Sequence, residues 1–463
     1  MTETIATGER ISPYRYRKVG NKYFVTTDFG SSCFLSEEEL ENLKQENIDE
    51  NLRKKLEATC ILLNERTMDE AVRLTRNRYS FLFTGASLHI IVVTLRCNMN
   101  CVYCHAASEA ESKIELDMTI ETAKKTVDFI FQSPSKGITI EFQGGEPLLN
   151  WEAIKCIIEY AKEKNKEANK DLHFALVSNL TRMDEEKMDY LMRQDVGICT
   201  SLDGHKELHD RNRSLMKGSS HEFVVNWIQK INEEYEKRGI GKRVGALVTL
   251  TKKSLAHPKE IVDEYVRLGL NVIHLRFLNN LGAAKKTWRA ISYPIEDYLT
   301  FWREAVSYIE ELQKKGVDIQ ERMVSIMSRK IGSEFDPGYL DLRNPCGDAM
   351  SQMTYGFNGD IYTCDEARML GEDTFKLGNV HENNYKEMAT SDKACAIVAA
   401  SVNDQYICNT CAYKPFCGLC PVISYAENGT IITKVSQSSR CKIFKSQFDW
   451  VVEEKFLKKE ISS

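Results

Sequence analysis

The sequence predicts an α/β protein whose central part is a parallel sheet covered by helices. Between residue 88 and about residue 315, apolar segments typical of strands alternate with amphipathic segments. Continuous apolar strands separated by helices are typical of parallel sheets. Residues 1–80 and the cysteine-rich residues from 344 onward differ in composition from this part. We therefore expect a small N-terminal region, a central α/β domain and a loop-rich C-terminal domain.

Length and composition limit the functions that are plausible. The chain has 463 residues and a formal net charge of −5, so two or three domains with apolar cores are expected. The charges are interspersed, which argues against a large nucleic-acid-binding face. No apolar run reaches the roughly 18 residues of a membrane span, and residues 1–20 contain no apolar signal core. We therefore expect a cytoplasmic protein. We expect neither membrane nor nucleic-acid partners. Fifteen cysteines in a reducing cytosol indicate metal ligands or catalytic thiols rather than disulfides.

The N-terminal region, residues 1–80, is predicted to be small and α+β. The segment KYFVTTDFGSSCFLS predicts a hairpin that turns at residues 28–30. Ser36 with Glu39 three residues later predicts the capped start of a helix, and a charged helical stretch continues to about Asn77. A hairpin followed by helices resembles the winged-helix elements that recognise leader peptides. The alternative is a cap on the central domain.

The central domain, residues 85–315, contains six predicted strands. They are LHIIVVTL, GITIEFQ, LHFALVSN, GICTSLDG, RVGALVTL and NVIHLRFL. Six βα units are too few for a closed eightfold barrel. A helical connector, residues 316–343, is expected to lead to the C-terminal domain, residues 344–463.

Three cysteines follow the first predicted strand closely. Cys97, Cys101 and Cys104 lie in the segment LRCNMNCVYC. Three thiolates leave a four-iron cluster one ligand short, so one iron keeps an open coordination position. A structural zinc site would want four ligands. The spacing C-x3-C-x-aromatic-C, with Tyr103 as the aromatic residue, resembles the signature of the radical S-adenosylmethionine (SAM) enzymes.

This resemblance implies a fold, cofactors and a chemistry. The fold is a partial (β/α)6 barrel whose open side can admit a large substrate. The cofactors are SAM and a [4Fe–4S] cluster that binds SAM through its amino and carboxylate groups. An electron from the cluster cleaves SAM to a 5′-deoxyadenosyl radical, which abstracts a hydrogen atom. The residues implied as cofactor contacts are Tyr103, Gly144, Gly145, Glu146, Pro147, Asn179, Ser201 and Asp203.

Several of these residue types suit cofactor binding on chemical grounds. In the GGEP segment, two glycines let the backbone approach a ligand closely, and Glu146 offers an acceptor for the SAM ammonium group. Asn179, Ser201 and Asp203 follow predicted strands, where polar side chains can bind ribose and carboxylate groups; N-capping of the following helices is the alternative. Arg213 either pairs with a carboxylate or lies at the surface.

A second cysteine pattern occupies the C-terminal domain. Its members are Cys346, Cys364, Cys408, Cys411, Cys417, Cys420 and Cys441. The pattern resembles the SPASM domain, which carries auxiliary iron–sulfur clusters. Two residues separate Cys417 from Cys420, whereas that domain usually has three residues in this gap. A pair of structural zinc ions is the alternative, because CxxC pairs bind zinc readily.

The SPASM resemblance implies two auxiliary clusters, both [4Fe–4S]. One would be held by Cys408, Cys411, Cys417 and Cys441, and the other by Cys346, Cys364 and Cys420. The fourth ligand of the second cluster would be water, a carboxylate or a substrate thiolate. In the related sulfatase-maturing enzymes, an aspartate that follows the corresponding cysteine is a base, which implies this role for Asp365; a turn or cap role is the alternative.

Residues 88 to about 445 resemble a radical SAM/SPASM maturase of ribosomally made peptides. The segments EFQGGEPLLN, LHDRNR and GDIYTCDEARML resemble the His-Xaa-Ser system maturase HxsB. The resemblance implies an enzyme whose partners are a ribosomally made precursor peptide, a flavodoxin- or ferredoxin-type electron donor and a second radical SAM maturase. The alternatives are a sulfatase-type maturase that forms formylglycine and a noncatalytic metal-binding peptide scaffold.

Overall fold

The computed structural model describes residues 3–4 and 8–462. Residues 1–2, 5–7 and 463 lie outside the described residues. Within the described part, no helix has both the length and the apolar character that a membrane crossing requires.

The N-terminal region is an antiparallel sheet with three helices packed on it. The sheet consists of Tyr14–Val19, Lys22–Thr27 and Ser32–Leu35, and the helices are Glu37–Lys44, Glu50–Ala58 and Glu65–Arg78. Short pairs join Glu3–Thr4 to Asn47–Ile48 and Arg10–Ile11 to Leu62–Leu63. The predicted hairpin is confirmed, and so is the capping box between Ser36 and Glu39. The first strand was not predicted, because its arginines and lysine obscure the alternation of buried residues.

The centre of the molecule is one sheet of nine strands. In chain order they are β1 (Leu88–Thr94), β2 (Gly137–Gly144), β3 (Asp171–Val177), β4 (Val196–Ser201), β5 (Gly245–Thr249), β6 (Leu275–Arg276), β7 (Gln352–Tyr355), β8 (Asp360–Tyr362) and β9 (Lys376–Asn379). Their spatial order is β6-β5-β4-β3-β2-β1-β7-β8-β9. Strands β1 to β6 are all parallel, which confirms the six predicted strands and the partial (β/α)6 barrel.

Helices cover the outer face of the parallel strands. They are α1 (Ile120–Ile130), α2 (Trp151–Ala168), α3 (Glu185–Arg193), α4 (Ser220–Lys237), α5 (Pro258–Arg267) and α6 (Ile295–Lys314), with shorter helices at Lys206–Asn212 and Ala284–Ile291. Their apolar faces form one core with the strands. In β2 every second side chain is buried, as expected for a strand with one face toward helices and the other toward the barrel interior.

The C-terminal part continues the same sheet rather than standing apart from it. Strand β7 pairs in parallel with β1, with Thr354 opposite Ile90, and β8 and β9 extend the sheet as antiparallel strands. Its helices are α7 (Arg322–Gly332), α8 (Asp365–Leu370), Tyr385–Ala389, Asp392–Ala400, Tyr406–Asn409, Pro421–Asn428 and Ser439–Val451, followed by a π-helical turn at Val452–Leu457 and by Lys458–Ser462. The first barrel strand, β1, is therefore paired with another strand on each edge.

The N-terminal region packs directly on the cysteine-rich part of the chain. Arg15 Nε donates a hydrogen bond to the carbonyl of Asn409 at 2.8 Å, and Thr26 Oγ1 donates to the carbonyl of Ala412 at 2.7 Å. Arg17 forms an ion pair with Asp449. These contacts hold the N-terminal sheet against the segment that contains Cys408 and Cys411.

Candidate active site

The first three predicted cluster ligands lie together on the loop that follows β1. Cys97 and Cys101 belong to two short strands, Arg96–Cys97 and Met99–Cys101. Burial is the largest influence that raises the pKa of Cys97, and the neighbouring Cys101 and Cys104 contribute a smaller part. They stand at the C-terminal end of the first barrel strand, where active sites of parallel barrels are found.

This loop is held in place by backbone and side-chain contacts that sequence reasoning missed. The Arg96 guanidinium donates to Asp117 Oδ1 at 2.8 Å and to the carbonyl of Leu149 at 3.0 Å. The backbone N–H of Ala283 donates to the carbonyl of Cys104 at 2.8 Å. Nothing in the sequence marks these partners, because they come from distant elements of the fold.

Burial favours the neutral form of the Cys97 and Cys101 thiols. Burial raises the pKa of Cys97 to about 12. Burial also raises the pKa of Cys101 to about 11, although the positive charge of Arg213 opposes it. A metal centre binds the thiolate and displaces the proton. Three adjacent thiols are the donor set that an iron–sulfur cluster with one free iron requires.

The hydroxyl group of Tyr103 is hydrogen-bonded to a buried carboxylate. Its hydroxyl donates to Asp203, whose two oxygens lie 2.8 and 2.7 Å away. Arg213 Nη1 donates to the Tyr103 oxygen at 3.1 Å, and Asn212 Nδ2 donates to Asp203 at 3.1 Å. Arg213 is buried, so the surface alternative for this residue is wrong. The carboxylate of Asp203 is satisfied by protein groups and positions the tyrosine ring.

The two glycines of the GGEP segment allow this segment to touch the cysteine loop. A Cβ atom on Gly144 would lie 2.1 Å from the carbonyl oxygen of Thr94, and one on Gly145 would lie 2.2 Å from that of Arg96. The backbone N–H of Glu146 also donates to Arg96 O at 2.7 Å. The close approach that these glycines permit is therefore to backbone, and a contact with SAM stays a prediction.

The side chain of Glu146 is fully buried and accepts three hydrogen bonds. Its Oε1 accepts from the backbone N–H of Leu148 at 3.0 Å and from Ser178 Oγ at 2.7 Å. Its Oε2 accepts from the backbone N–H of Asn179 at 2.7 Å. Burial raises its pKa, and these donors oppose the rise. Pro147 opens the helical turn that follows. The carboxylate thus ties the ends of β2 and β3 together.

The remaining predicted SAM contacts lie on the same edge of the sheet. The side-chain amide of Asn179 is 3.2 Å from Asn98 Oδ1 and 3.8 Å from the Cys97 sulfur, while Ser201 ends β4. The capping alternative is wrong for Asn179, Ser201 and Asp203, because Asp184 caps α3 and His205 occupies the N-cap position of the helix after β4.

The seven C-terminal cysteines form two groups. Cys408, Cys411, Cys417 and Cys441 line one cavity, which Cys420 also borders. Burial raises the pKa of Cys417, and the neighbouring Cys411, Cys441 and Cys408 add to the rise. Burial also raises the pKa of Cys364, with smaller contributions from Asp348, Glu366, Cys420 and Cys346. Within residues 3–4 and 8–462, no set of three or more His, Cys, Asp or Glu side chains already has the spacing of a metal site.

Asp365 lies between the two cysteine-rich parts. It is the first residue of α8 and is buried, and Cys364 rather than Asp365 is the cap of this helix. Its Oδ1 accepts from Arg368 Nε at 3.0 Å, and Arg368 Nη1 donates to the carbonyl of Ala106 at 3.1 Å. Burial raises the pKa of Glu141 on β2, and the charge of Asp365 adds to the rise. The carboxylate therefore lies beside the barrel interior and near the first cysteine loop.

Comparisons with known families agree with this geometry. The profile of the Radical SAM superfamily matches residues 91–265. The profile of the SPASM iron–sulfur cluster-binding domain matches residues 346–412. The chain therefore contains a radical SAM domain and a SPASM domain, and it is an enzyme. Its cofactors are SAM and [4Fe–4S] clusters, and the reading as a noncatalytic scaffold is wrong.

Relatives of this radical SAM enzyme include proteins of known and unknown activity. It is 27% identical over 319 residues to an uncharacterised protein of Methanocaldococcus jannaschii, covering 66% of this chain and 93% of that one. It is 23% identical over 343 residues to a cysteine-type anaerobic sulfatase-maturating enzyme of Clostridium novyi, covering 72% of this chain and 86% of the other.

Two solved structures share the fold. The anSMEcpe enzyme with bound AdoMet aligns with a TM-score of 0.67 at 19% identity, covering 82% of this chain and all of the other. Streptococcus suis SuiB bound to its precursor peptide SuiA aligns with a TM-score of 0.56 at 15% identity, covering 92% of this chain and 98% of the other.

Proposed function

We propose that this radical SAM enzyme matures a ribosomally made peptide by hydrogen abstraction, forming a crosslink or an oxidised residue. The subfamily that its motifs resemble most is the His-Xaa-Ser system maturase HxsB. The observation that carries the proposal is the N-terminal sheet, which is fixed to the cysteine-rich segment through Arg15 and Thr26. An accessory region placed there is suited to hold a leader peptide while the core of the peptide reaches the barrel.

The comparisons support a peptide substrate. The SuiB structure was solved with its precursor peptide, and its alignment covers 92% of this chain. The alignment with anSMEcpe, which was also solved with a bound peptide, covers 82%, so a larger part of this chain has a counterpart in SuiB. The reaction itself and the role of residues 1–80 are part of the proposal.

The residues around β1 would hold and orient the cofactors. Cys97, Cys101 and Cys104 would bind the cluster, which together with SAM supplies the 5′-deoxyadenosyl radical when bound. Tyr103 would present its ring to the adenine, and Asp203 would act through Tyr103 rather than by touching SAM. The segment 144–147 would face the SAM amino group, with Asn179 and Ser201 toward the ribose and carboxylate.

The C-terminal residues would remove a proton and an electron after abstraction. Asp365 would accept the proton from the substrate carbon, and Arg368 would keep the carboxylate oriented toward the barrel. Cys408, Cys411, Cys417 and Cys441 would hold one auxiliary cluster, and Cys346, Cys364 and Cys420 the other, which together supply an electron acceptor. The substrate would thus lose two hydrogen atoms in all, one to the deoxyadenosyl group and one as a proton plus an electron. A flavodoxin- or ferredoxin-type donor would reduce the first cluster, and a second maturase would work on the same peptide.

The test uses the full chain, reconstituted with iron and sulfide without oxygen. It is incubated with SAM, a reductant and a peptide with His-Xaa-Ser repeats encoded beside its gene. We expect 5′-deoxyadenosine and a peptide lighter by two hydrogen atoms, and we expect a weaker reaction when the leader is removed. C101A should form no 5′-deoxyadenosine, whereas D365N should form it without the mature peptide.

Two results would contradict the proposal. The first is turnover of a peptide containing a Cys/Ser-x-Pro/Ala-x-Arg site to formylglycine while the repeat peptide is left unchanged, which would favour the sulfatase-type alternative. The second is unchanged 5′-deoxyadenosine formation by C101A, which would exclude the assigned cluster site.

A further inference from the structure

We propose that the carboxylate of Asp348 is the fourth protein ligand of the auxiliary cluster assigned to Cys346, Cys364 and Cys420. Those three cysteines leave one iron of a four-iron cluster without a protein ligand, whereas the other C-terminal group supplies four thiols. The inference rests on the assignment of these cysteines in the proposed function and does not depend on the identity of the substrate.

Asp348 is buried next to the sulfur of Cys346. Its side chain is 1% exposed, and its Oδ1 is 3.5 Å from the sulfur of Cys346. The backbone N–H of the next residue, Ala349, donates to the carbonyl of Thr363 at 2.9 Å. The carboxylate is therefore beside Cys346, and its loop lies against the segment that carries Cys364.

The second oxygen of this carboxylate lacks a partner in the described structure. Asp348 Oδ2 is buried and has no hydrogen bond within residues 3–4 and 8–462. Buried charged oxygens are normally paired or bound to a metal, because leaving them unpaired is destabilising. A cluster iron would satisfy this oxygen.

Two other acidic side chains near Cys346, Cys364 and Cys420 already have arginine partners. Asp341 lies 3.8 Å from Arg440, and Glu366 lies 3.3 Å from Arg276. Asp348 is thus the carboxylate in the pocket that remains available to a metal. It is two residues from Cys346 on one loop, so a single segment would deliver both ligands.

A carboxylate ligand has a consequence for the chemistry of this cluster. Carboxylate oxygen is an established ligand for protein-bound iron, and a fourth protein ligand closes the coordination of the last iron. A closed cluster transfers electrons but has no position for a substrate thiolate. We therefore assign this cluster to electron relay.

The experiment compares D348N, D348C and D341N with the wild-type full chain, all reconstituted anaerobically. Iron and sulfide are counted, and the reduced samples are studied by electron paramagnetic resonance (EPR) with and without excess 2-mercaptoethanol. Asn keeps the size of Asp but removes its anionic oxygen, and Cys restores an anionic ligand. D341N is the matched control, since it removes an acidic group from the same pocket that already has a partner.

We expect the wild type to carry two auxiliary clusters whose EPR signals do not respond to the thiol. D348N should change the signal of one auxiliary cluster and make it respond to the thiol, D348C should keep the full iron content with a shifted midpoint potential, and D341N should resemble the wild type. The ligand assignment is overturned if D348N and the wild type have the same signal and the same thiol response, or if D341N and D348N change alike.

The outcome can be separated from that of the proposed function. A wild type with only one auxiliary cluster would overturn both the cysteine assignment and the ligand. A changed EPR signal in D348N, in an enzyme that does not modify the peptide, would uphold the ligand and reject only the substrate.

Discussion

Replacing Glu146 by glutamine tests whether this carboxylate organises the SAM-binding edge of the sheet. The native side chain offers two acceptor oxygens to three donors, namely the backbone N–H groups of Leu148 and Asn179 and the hydroxyl of Ser178. Glutamine has one oxygen and one NH2 group, so at least one donor must face another donor. In the less costly orientation, the oxygen keeps Leu148 and Ser178, and the NH2 group faces the N–H of Asn179.

The size of the stability loss expected for E146Q follows from burial and charge. A buried N–H group that loses its acceptor costs about 1–3 kcal/mol, and the two remaining bonds lose their charge assistance, which is roughly half of their strength. We expect the free energy of unfolding to fall by about 2–4 kcal/mol in total. Asn179 should also shift, and because its amide lies 3.8 Å from the Cys97 sulfur, the affinity for SAM should fall by about tenfold, or roughly 1.4 kcal/mol.

The assays are denaturant unfolding and SAM titration of the anaerobic, cluster-loaded enzyme. The matched control is E141Q, on strand β2, which precedes Glu146. Burial raises the pKa of Glu141, and its hydrogen-bond partner is the side chain of Gln143, so the amide should replace it at a cost of about 1 kcal/mol or less. The reasoning is refuted if E146Q unfolds and binds SAM like the wild type, or if the two variants lose the same stability.

Three further variants probe the site and its support. Y103F removes the hydroxyl that lies 2.7–2.8 Å from both oxygens of Asp203; since the buried carboxylate loses a donor, unfolding should become easier by about 1–3 kcal/mol and SAM binding weaker. G145A places a methyl group 2.2 Å from the carbonyl oxygen of Arg96, so we expect a stability loss of about 1–3 kcal/mol or more and less iron retained after gel filtration. Glu321 caps α7, and burial raises its pKa to about 7 from an ordinary 4.5. Because the pKa of Glu321 is raised in the folded state, its contribution to the free energy of unfolding is full below about pH 4.5. This contribution is lost as the pH rises to 7, by up to about 3 kcal/mol. E321Q should therefore flatten the fall in the free energy of unfolding across this window.

Controls make these outcomes specific. Y235F alters a buried tyrosine away from the site and should leave SAM affinity unchanged, so an equal loss in both tyrosine variants would contradict the role given to the Tyr103 hydroxyl. G241A has open space around its added methyl group and should retain its iron. Parallel stability curves for E321Q and the wild type between pH 4.5 and 7 would show that this glutamate does not titrate there.

The sequence also predicted much of the site, since short-range signals carry it. The spacing of Cys97, Cys101 and Cys104 is local, and the alternation of apolar strands and amphipathic helices placed this loop at the C-terminal end of a barrel strand. The capping box at Ser36 and Glu39 is equally local, and its prediction is confirmed. In each case the interacting groups lie within a few residues, so the pattern in the chain contains the structural information.

What the sequence could not supply are partners brought together across the fold. Thr94 and Arg96 explain why Gly144 and Gly145 are glycines, although the pattern alone favoured a ligand contact. The sequence suggested a direct cofactor role for Asp203, whereas the structure gives its hydrogen bonds to protein groups. Such pairings depend on which strands become neighbours.

The local patterns of this chain predicted its α/β class and the order of its strands, and the resemblance of its cysteine motifs to a known family implied its cofactors. The tertiary structure alone decided that β7 of the cysteine-rich part pairs with β1, and that the loop of Cys346 and Asp348 lies against the segment of Thr363 and Cys364. The physical reason is that parallel pairing and buried charges are settled by contacts between segments far apart in sequence, where local propensity gives no preference among possible partners.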